Sequence, residues 1–249
     1  MKKILRFSDK LVISLAFLGD AAIGVYANSY LWRKNDLFDF LSGRENTLRG
    51  SVNRLLRTGE MEKIVKNGEV CYCLTSAGEE RIQRIFPLFQ LADKGWDKKW
   101  RIAIFDIPEK EKKTRELLRR KLVSLGFGEL QKSVYISPLD VLKDLKEMLE
   151  NYGLYGKVIV FEAREIFSNQ KEVGRLVWNL DQLEENYREL LERMESLKYS
   201  KEEKLKEVEE IKNDFFNLVL KDPFLPKELL PDNWSGEKVR MLARKTLRT

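Results

Sequence analysis

Histidine is absent from all 249 residues, and cysteine occurs only twice. Without imidazole there is no Ser-His-Asp or Cys-His relay, no imidazole general base and no His-ligated metal. Two cysteines cannot complete a structural zinc site or an iron–sulfur cluster by themselves. Cys71 and Cys73 are two positions apart, so on a strand they share a face and would strain a disulfide between them. They read as small apolar fillers of a reducing, cytoplasmic protein, and no cofactor is expected. Long apolar runs are also scarce. One stretch, 11–27, follows Met1-Lys2-Lys3 and mimics a signal-peptide core, with Tyr26-Ala27 as a weak cleavage site. Asp20 interrupts it and it is too short to span a bilayer, so it reads as a buried helix, with no membrane partner. Internal repeats and low-complexity tracts are missing too.

What is present is charge and apolar residues in globular proportion: 35% charged, 43% hydrophobic, net +6. The excess is uneven. Residues 1–95 carry +4, residues 96–170 carry +3 and residues 171–249 carry −1. Basicity in the first two thirds favours a polyanionic partner.

The first third reads helix, helix, helix, hairpin. Ser8 is the expected N-cap of a helix through Leu11–Leu18, and 35–41 is the next helical segment. Leu48, Val52, Leu55 and Leu56 repeat at helical spacing, with Thr47, Arg49, Ser51, Asn53, Arg54 and Arg57 between them. Gly59 suits the C′ position of that helix. Met61–Val65 and Val70–Leu74 then flank Asn67-Gly68, a strong hairpin signal. A polar, basic helix followed by a hairpin with a basic tip is the winged-helix layout, in which the helix suits the major groove and the hairpin the adjacent backbone. Ser76-Ala77-Gly78-Glu79 opens a further helix toward Pro87.

Ala92-Asp93-Lys94-Gly95 reads as a linker. A strand at Trp100–Asp106 follows, then a charged helix from about Glu109 to Leu125 with Leu117, Leu118, Leu122 and Leu125 as its apolar stripe. Strands near Leu130-Gln131 and Ser133–Ile136, a helix over 139–151 and a strand over 157–161 complete β-α-β-β-α-β, the ferredoxin-like order. The last third is helical. Leu180, Leu183, Tyr187, Leu190, Met194 and Leu197 form one seam, Ser200 with Glu203 reads as a capping box, and Leu205, Val208, Ile211, Phe215 and Leu218 line a second helix. Pro223, Pro226 and Pro231 impose a non-helical crossing before a final basic helix from Gly236. The predicted class is therefore α+β and multidomain: a winged helix-turn-helix over 1–91, a ferredoxin-like domain over 97–167 and a helical domain over 168–249.

Three segments together resemble the PaaX-type transcriptional regulators. They are the winged-helix pattern of 44–78; Arg101-Ile102-Ala103-Ile104-Phe105-Asp106-Ile107-Pro108-Glu109, continued by Leu125-Gly126-Phe127 and Leu130–Pro138; and Trp178-Asn179-Leu180-Asp181 with Asp222-Pro223-Phe224-Leu225-Pro226-Lys227-Glu228-Leu229-Leu230-Pro231 and Trp234. The resemblance implies a dimeric repressor on a pseudo-palindromic double-stranded DNA operator, relieved by a small effector such as an acyl-coenzyme A thioester. The middle segment alone is also similar to the small CRISPR-associated nuclease of spacer acquisition. There the position matching Asp106 is proposed to hold a metal, which leaves a metal-dependent nuclease or a non-catalytic nucleic-acid scaffold as the alternative reading.

Chemistry assigns residue roles within this frame. Thr47, Arg49, Ser51, Asn53 and Arg54 have the donors and acceptors to read base edges, whereas Arg44, Arg57, Lys63 and Lys66 suit phosphates. A DNA-binding module needs only ~90 residues, so the remainder is expected to form a second functional unit. Pockets favour domain interfaces, and Trp178, Tyr187 and Trp234 are candidate apolar walls there, with Arg175, Arg188 and Arg240 for an anionic effector.

Overall fold

A computed structural model describes residues 8–9, 11–13, 32–33, 45–66, 68–85, 88, 95–164, 169–196 and 204–246. The chain divides into two units. One comprises Met1–Phe86, Glu184–Lys221 and Ser235–Thr249, the other Pro87–Leu183 and Asp222–Trp234. The C-terminal third thus contributes to both.

In the first unit, residues 8–9 and 11–13 are helical, with Leu11, Val12 and Ile13 buried. Ser8, expected as an N-cap, is itself helical, and its hydroxyl accepts a hydrogen bond from Arg81 at 3.0 Å. The remainder of the expected 11–18 helix and the 35–41 helix lie outside the described residues. Strand β1 is short, Trp32–Arg33. Helix α1, Glu45–Arg57, buries Val52 and Leu55 as its periodicity requires. It closes in a Schellman arrangement: the Gly59 amide donates to the Leu56 carbonyl at 3.2 Å and the Glu60 amide to the Leu55 carbonyl at 2.9 Å. Gly59 sits at φ +70°, where a side chain would be strained. Strands β2, Met61–Lys66, and β3, Glu69–Leu74, pair antiparallel from Met61↔Leu74 to Lys66↔Glu69, with Gly68 between them at φ +79°. β1 pairs with the other edge of β3, so the sheet order is β1-β3-β2. As the middle strand, β3 buries every residue from Cys71 to Leu74. Both cysteines are free and buried, as expected of fillers.

Helix α2, Ser76–Ile85, locks this module together. Gly78 packs so close to the turn after α1 that a Cβ there would lie 2.1 Å from the Glu60 carbonyl oxygen. Arg81 on the same helix donates to Glu60 at 2.5 Å and to Asp9 at 2.6 Å. One largely buried guanidinium therefore ties the first helix, the α1–β2 turn and α2. Burial opposes its charge, but the hydrogen bonds to Asp9 and Glu60 prevail and hold its pKa above the ordinary value.

The second unit carries the β-α-β-β-α-β order. Its elements are β4 (Trp100–Phe105), a 3₁₀ turn (Glu109–Glu111), α3 (Lys112–Ser124), β5 (Gly128–Gln131), β6 (Val134–Ser137), α4 (Leu142–Asn151) and β7 (Val158–Ala163). The sheet is antiparallel throughout, in the order β5-β6-β4-β7. α4 starts three residues after the expected 139, because the Leu139 amide is held by the Ser137 hydroxyl and the Val141 amide by the Leu139 carbonyl, a tight turn rather than a helix. One sheet face, with Ala103, Phe105, Tyr135 and Val158, packs on Leu118, Leu122, Leu145 and Leu149 of the two helices. Helix α5, Gln170–Trp178, is N-capped by Asn169, whose side chain accepts from the Lys171 amide at 3.1 Å. Trp178 stacks on Trp100, centroids 6.5 Å apart. This works only because Gly128 has no side chain: a Cβ there would lie 2.1 Å from Val177 and 2.8 Å from Trp178.

Helix α6, Leu180–Ser196, buries Leu180, Leu183, Tyr187, Leu190 and Met194, the predicted seam. Leu197, Ser200 and Glu203 lie outside the described residues. Helix α7, Lys204–Val219, buries Ile211, Phe215 and Leu218, and Arg193 of α6 meets its Asp214 at 2.6 Å. The proline segment is extended and largely buried at Asp222–Pro226, then makes a 3₁₀ turn at Lys227–Leu229. Within it Asp222 accepts from the Phe224 amide at 2.8 Å, fixing Phe224 at φ +50°. The last helix, α8, Gly236–Thr246, begins where Glu184 of α6 accepts from both the amide and the hydroxyl of Ser235, at 2.7 and 2.6 Å. A carboxylate at a helix N-terminus satisfies orphan donors and opposes the helix dipole favourably.

Candidate nucleic-acid interface

Burial of Val52 and Leu55 fixes the phase of α1. Asn53, Arg54 and Arg57 are exposed on the opposite side, and Arg49 is exposed on its flank. Gly50 shares that face, and a Cβ built on it would meet nothing within 4 Å, so packing does not demand glycine there. Ser51 is half-buried and lies off this face by helical spacing. Lys63 is exposed on β2, in the strand that leaves α1 after only a short turn. The predicted set thus divides. Arg49, Asn53, Arg54, Arg57 and Lys63 are presented by one helix–hairpin unit. Arg44 lies outside the described residues, as do the side chains of Thr47 and Lys66. Cys73 under this sheet offers no chemistry: burial first, then its hydrogen bond to Glu62, pushes its thiol up to about 12.

Asp106, the candidate metal ligand, is exposed just beyond β4. Its sequence neighbours are committed elsewhere. Glu109 accepts twice from Arg115, at 2.6 and 2.9 Å, and Glu111 from Lys157 at 2.6 Å. Both carboxyls are held below the usual range by those hydrogen bonds. Among the described residues no group of three or more His, Cys, Asp or Glu is arranged to hold a metal ion. Neither helix following Asp106 uses its carboxylate as a cap; Pro108 and Glu111 occupy the cap positions, without side-chain cap bonds.

The effector candidates fall in both units. Arg175, Trp178 and Trp234 belong to the second, Tyr187, Arg188 and Arg240 to the first. Tyr187 is fully buried in the α6 seam. Arg175 is clamped by Asp181, at 2.9 Å from two nitrogens, and by Glu172 at 2.7 Å; hydrogen bonding first to Asp181 raises its pKa. Arg188 pairs with Glu185 at 2.7 Å. Trp178 is engaged by Trp100, and Trp234 is buried.

Outside its apolar stripe, α3 is densely charged. Its lysines and arginines are not equivalent. Arg115 and Arg119 are consumed by Glu109, Glu129 and Glu116, whereas Lys110, Lys112, Lys113 and Arg120 are exposed and make no direct ion pair among the described residues.

Among the described residues no helix is long and apolar enough to cross a membrane. Over 220 residues the chain is 26% identical to the transcriptional repressor PaaX of Escherichia coli (strain K12), covering 83% of this chain and 69% of that protein. A solved structure of an uncharacterized Mycobacterium tuberculosis protein shares the fold, with TM-score 0.57 and 22% identity over 95% of both chains. Residues 93–174 match the PaaX protein central Cas2-like domain and residues 178–249 match the PaaX-like protein C-terminal domain, so the chain belongs to the PaaX family.

Proposed function

We propose that this protein is a non-enzymatic transcription regulator that binds double-stranded DNA through α1 and the β2–β3 hairpin, a winged helix in its first ~90 residues. The observation that carries this reading is the union of an exposed polar and basic α1 face with the sheet order β1-β3-β2. In that arrangement a helix is held ahead of a hairpin, as a winged helix needs to enter a major groove while the hairpin meets the neighbouring backbone. Kinship to a transcriptional repressor supports regulation, and the ion-paired Glu109 and Glu111 beside Asp106 disfavour the nuclease alternative. The finer reading is a cytoplasmic homodimeric repressor. Its central ferredoxin-like part dimerises, and its C-terminal helical part takes an anionic effector of the acyl-coenzyme A class, which releases operator.

The test is fluorescence anisotropy with operator duplex, selected from genomic fragments, against scrambled duplex at physiological salt. Wild type is expected to prefer operator by 10³-fold or more, a ratio typical of specific binding. Arg54→Ala is expected to relax base preference, by about 1–3 kcal/mol if it grips a base edge. Lys63→Ala should weaken all duplexes alike and reduce the salt slope by about one. An acyl-coenzyme A thioester that lowers operator affinity must itself bind more weakly, by the same factor, when operator is present. Equal affinity for every duplex, or none for any, defeats the regulator reading.

A further inference from the structure

α3 of the second unit carries more positive charge than its fold consumes. From Glu109 to Ser124 there are seven cations and three acids. Each acid is matched: Glu109 by Arg115, Glu111 by Lys157 and Glu116 by Arg119. Lys121 lies over the ring of Tyr152, 4.9 Å from its centroid. What is left is Lys110, Lys112, Lys113 and Arg120, all exposed. Leu118 and Leu122 are fully buried, so they fix the helix phase. By that phase Lys113 and Arg120 fall on the outermost ridge, two turns or ~10 Å apart, with Lys112 to one side; Glu116 lies between them on the ridge, its carboxylate engaged by Arg119 at 3.5 Å. Lys132, on the β5–β6 turn, adds to the same field, since with Lys112 it helps depress the Glu109 carboxyl, whose main cause is Arg115.

With Glu116 engaged by Arg119, cations are in excess along this ridge and repel one another, and the core beneath, complete with Leu118 and Leu122, needs no cation above it. Such a ridge is stabilised when a polyanion covers it. We propose that the outer ridge of α3, through Lys112, Lys113 and Arg120, contacts the phosphate backbone of duplex DNA without reading sequence. This deepens the proposed function and rests on it: the winged helix selects the site, while the central module adds affinity that is indifferent to sequence. Lysines and a non-bidentate arginine along a ridge have the chemistry of backbone contacts, which position a protein but discriminate no base pair.

The experiment uses full-length protein and compares the salt dependence of binding for operator and scrambled duplexes. The variant carries Lys112→Gln, Lys113→Gln and Arg120→Gln. A control carries Lys143→Gln and Lys146→Gln on α4, which removes exposed charge from the same module elsewhere. The logarithmic salt slope of the triple variant should fall by about 2–3, at ~0.9 per lost contact, equally for both duplexes. The ratio of operator to scrambled affinity should stay within twofold, and thermal melting should be unchanged. The α4 control should keep the wild-type slope. An unchanged slope in the triple variant, with wild type still selecting operator, overturns the α3 contact and leaves the winged-helix reading standing. The same loss of slope in the α4 control reduces the effect to net charge and also overturns it. If wild type binds no duplex, the proposed function falls and takes this contact with it.

Discussion

Arg101 is a guanidinium with 2% of its side chain exposed, the second residue of an otherwise apolar β4. It stays charged there because carboxylates surround it: Asp97 grips it at 2.8 and 2.6 Å and Glu162 lies at 3.1 Å. Asp97, hydrogen-bonded by Arg101, is correspondingly held below the usual carboxylate range. Since Asp97 has a depressed folded pKa, its contribution to stability is present above its unfolded value and lost as acid protonates it. Cys73 shows the opposite sign. Its folded thiol titrates at about 12 against an ordinary 9.0, owing to burial and then to Glu62. The unfolded chain therefore releases this proton first as pH rises, so stability is lost progressively from about 9 toward 12. Urea melts of wild type and Cys73→Ala at pH 8 and pH 10 check this. Wild type is expected to lose more stability between the two than the variant does. Equal losses would mean that the thiol ionises as easily folded as unfolded.

Among the elements, α1 holds the sharpest conflict between stability and role. Gly50 lies in its exposed middle, where glycine costs about 0.5–1 kcal/mol relative to alanine. No neighbour forbids a methyl group there. Under the proposed function the missing side chain lets the helix backbone approach DNA closely. Gly50→Ala should then raise the unfolding free energy by up to ~1 kcal/mol and weaken operator binding at least several-fold. Denaturant melts paired with anisotropy measure both; a variant that is more stable and binds as well as wild type removes Gly50 from the interface. How far such elements were readable from sequence depends on how local their causes are. The α6 seam from Leu180 to Met194, the Gly59 stop and the β2–β3 hairpin are set by neighbours within a few residues, and the sequence displays them. β1 is two residues long and exists by pairing with Cys71 and Tyr72, forty residues on, so no local period announces it. The same holds for Gly128, whose requirement comes from Val177 and Trp178, and for Arg101, whose burial depends on Glu162 across the sheet. In the candidate interface, α1's outer residues were legible because Val52 and Leu55 fix its phase. The leftover cations of α3 emerged only once their neighbours' ion pairs were known.

At the scale of the whole molecule, the central sheet has two unlike faces. One is sealed by α3 and α4. On the other, Trp100 and Gly128 are covered by α5, but the far end of β4 and β7 is bare. Ile104 pairs with Ile159 and Ile102 with Phe161 across the strands; Ile159 is 67% exposed and Phe161 43%. Tyr155, just before β7, is 67% exposed. An apolar strip on a regular antiparallel sheet is costly in water and marks an interaction surface. A second copy of the same strip is its simplest complement, because a two-fold axis brings the identical patch face to face. This supports the central module as the dimer contact of the proposed repressor, which a pseudo-palindromic operator would require. Sedimentation of wild type at micromolar concentration should give about two chains per particle. Ile159→Asp with Phe161→Asp places two charges where the partner would bury them, yet leaves the opposite face and its core intact. That variant should sediment as a folded monomer with wild-type circular dichroism, and its operator affinity should fall toward that of a single half-site. A wild-type monomer throughout the accessible range, or a variant that stays dimeric, would place the two-fold contact somewhere other than this sheet.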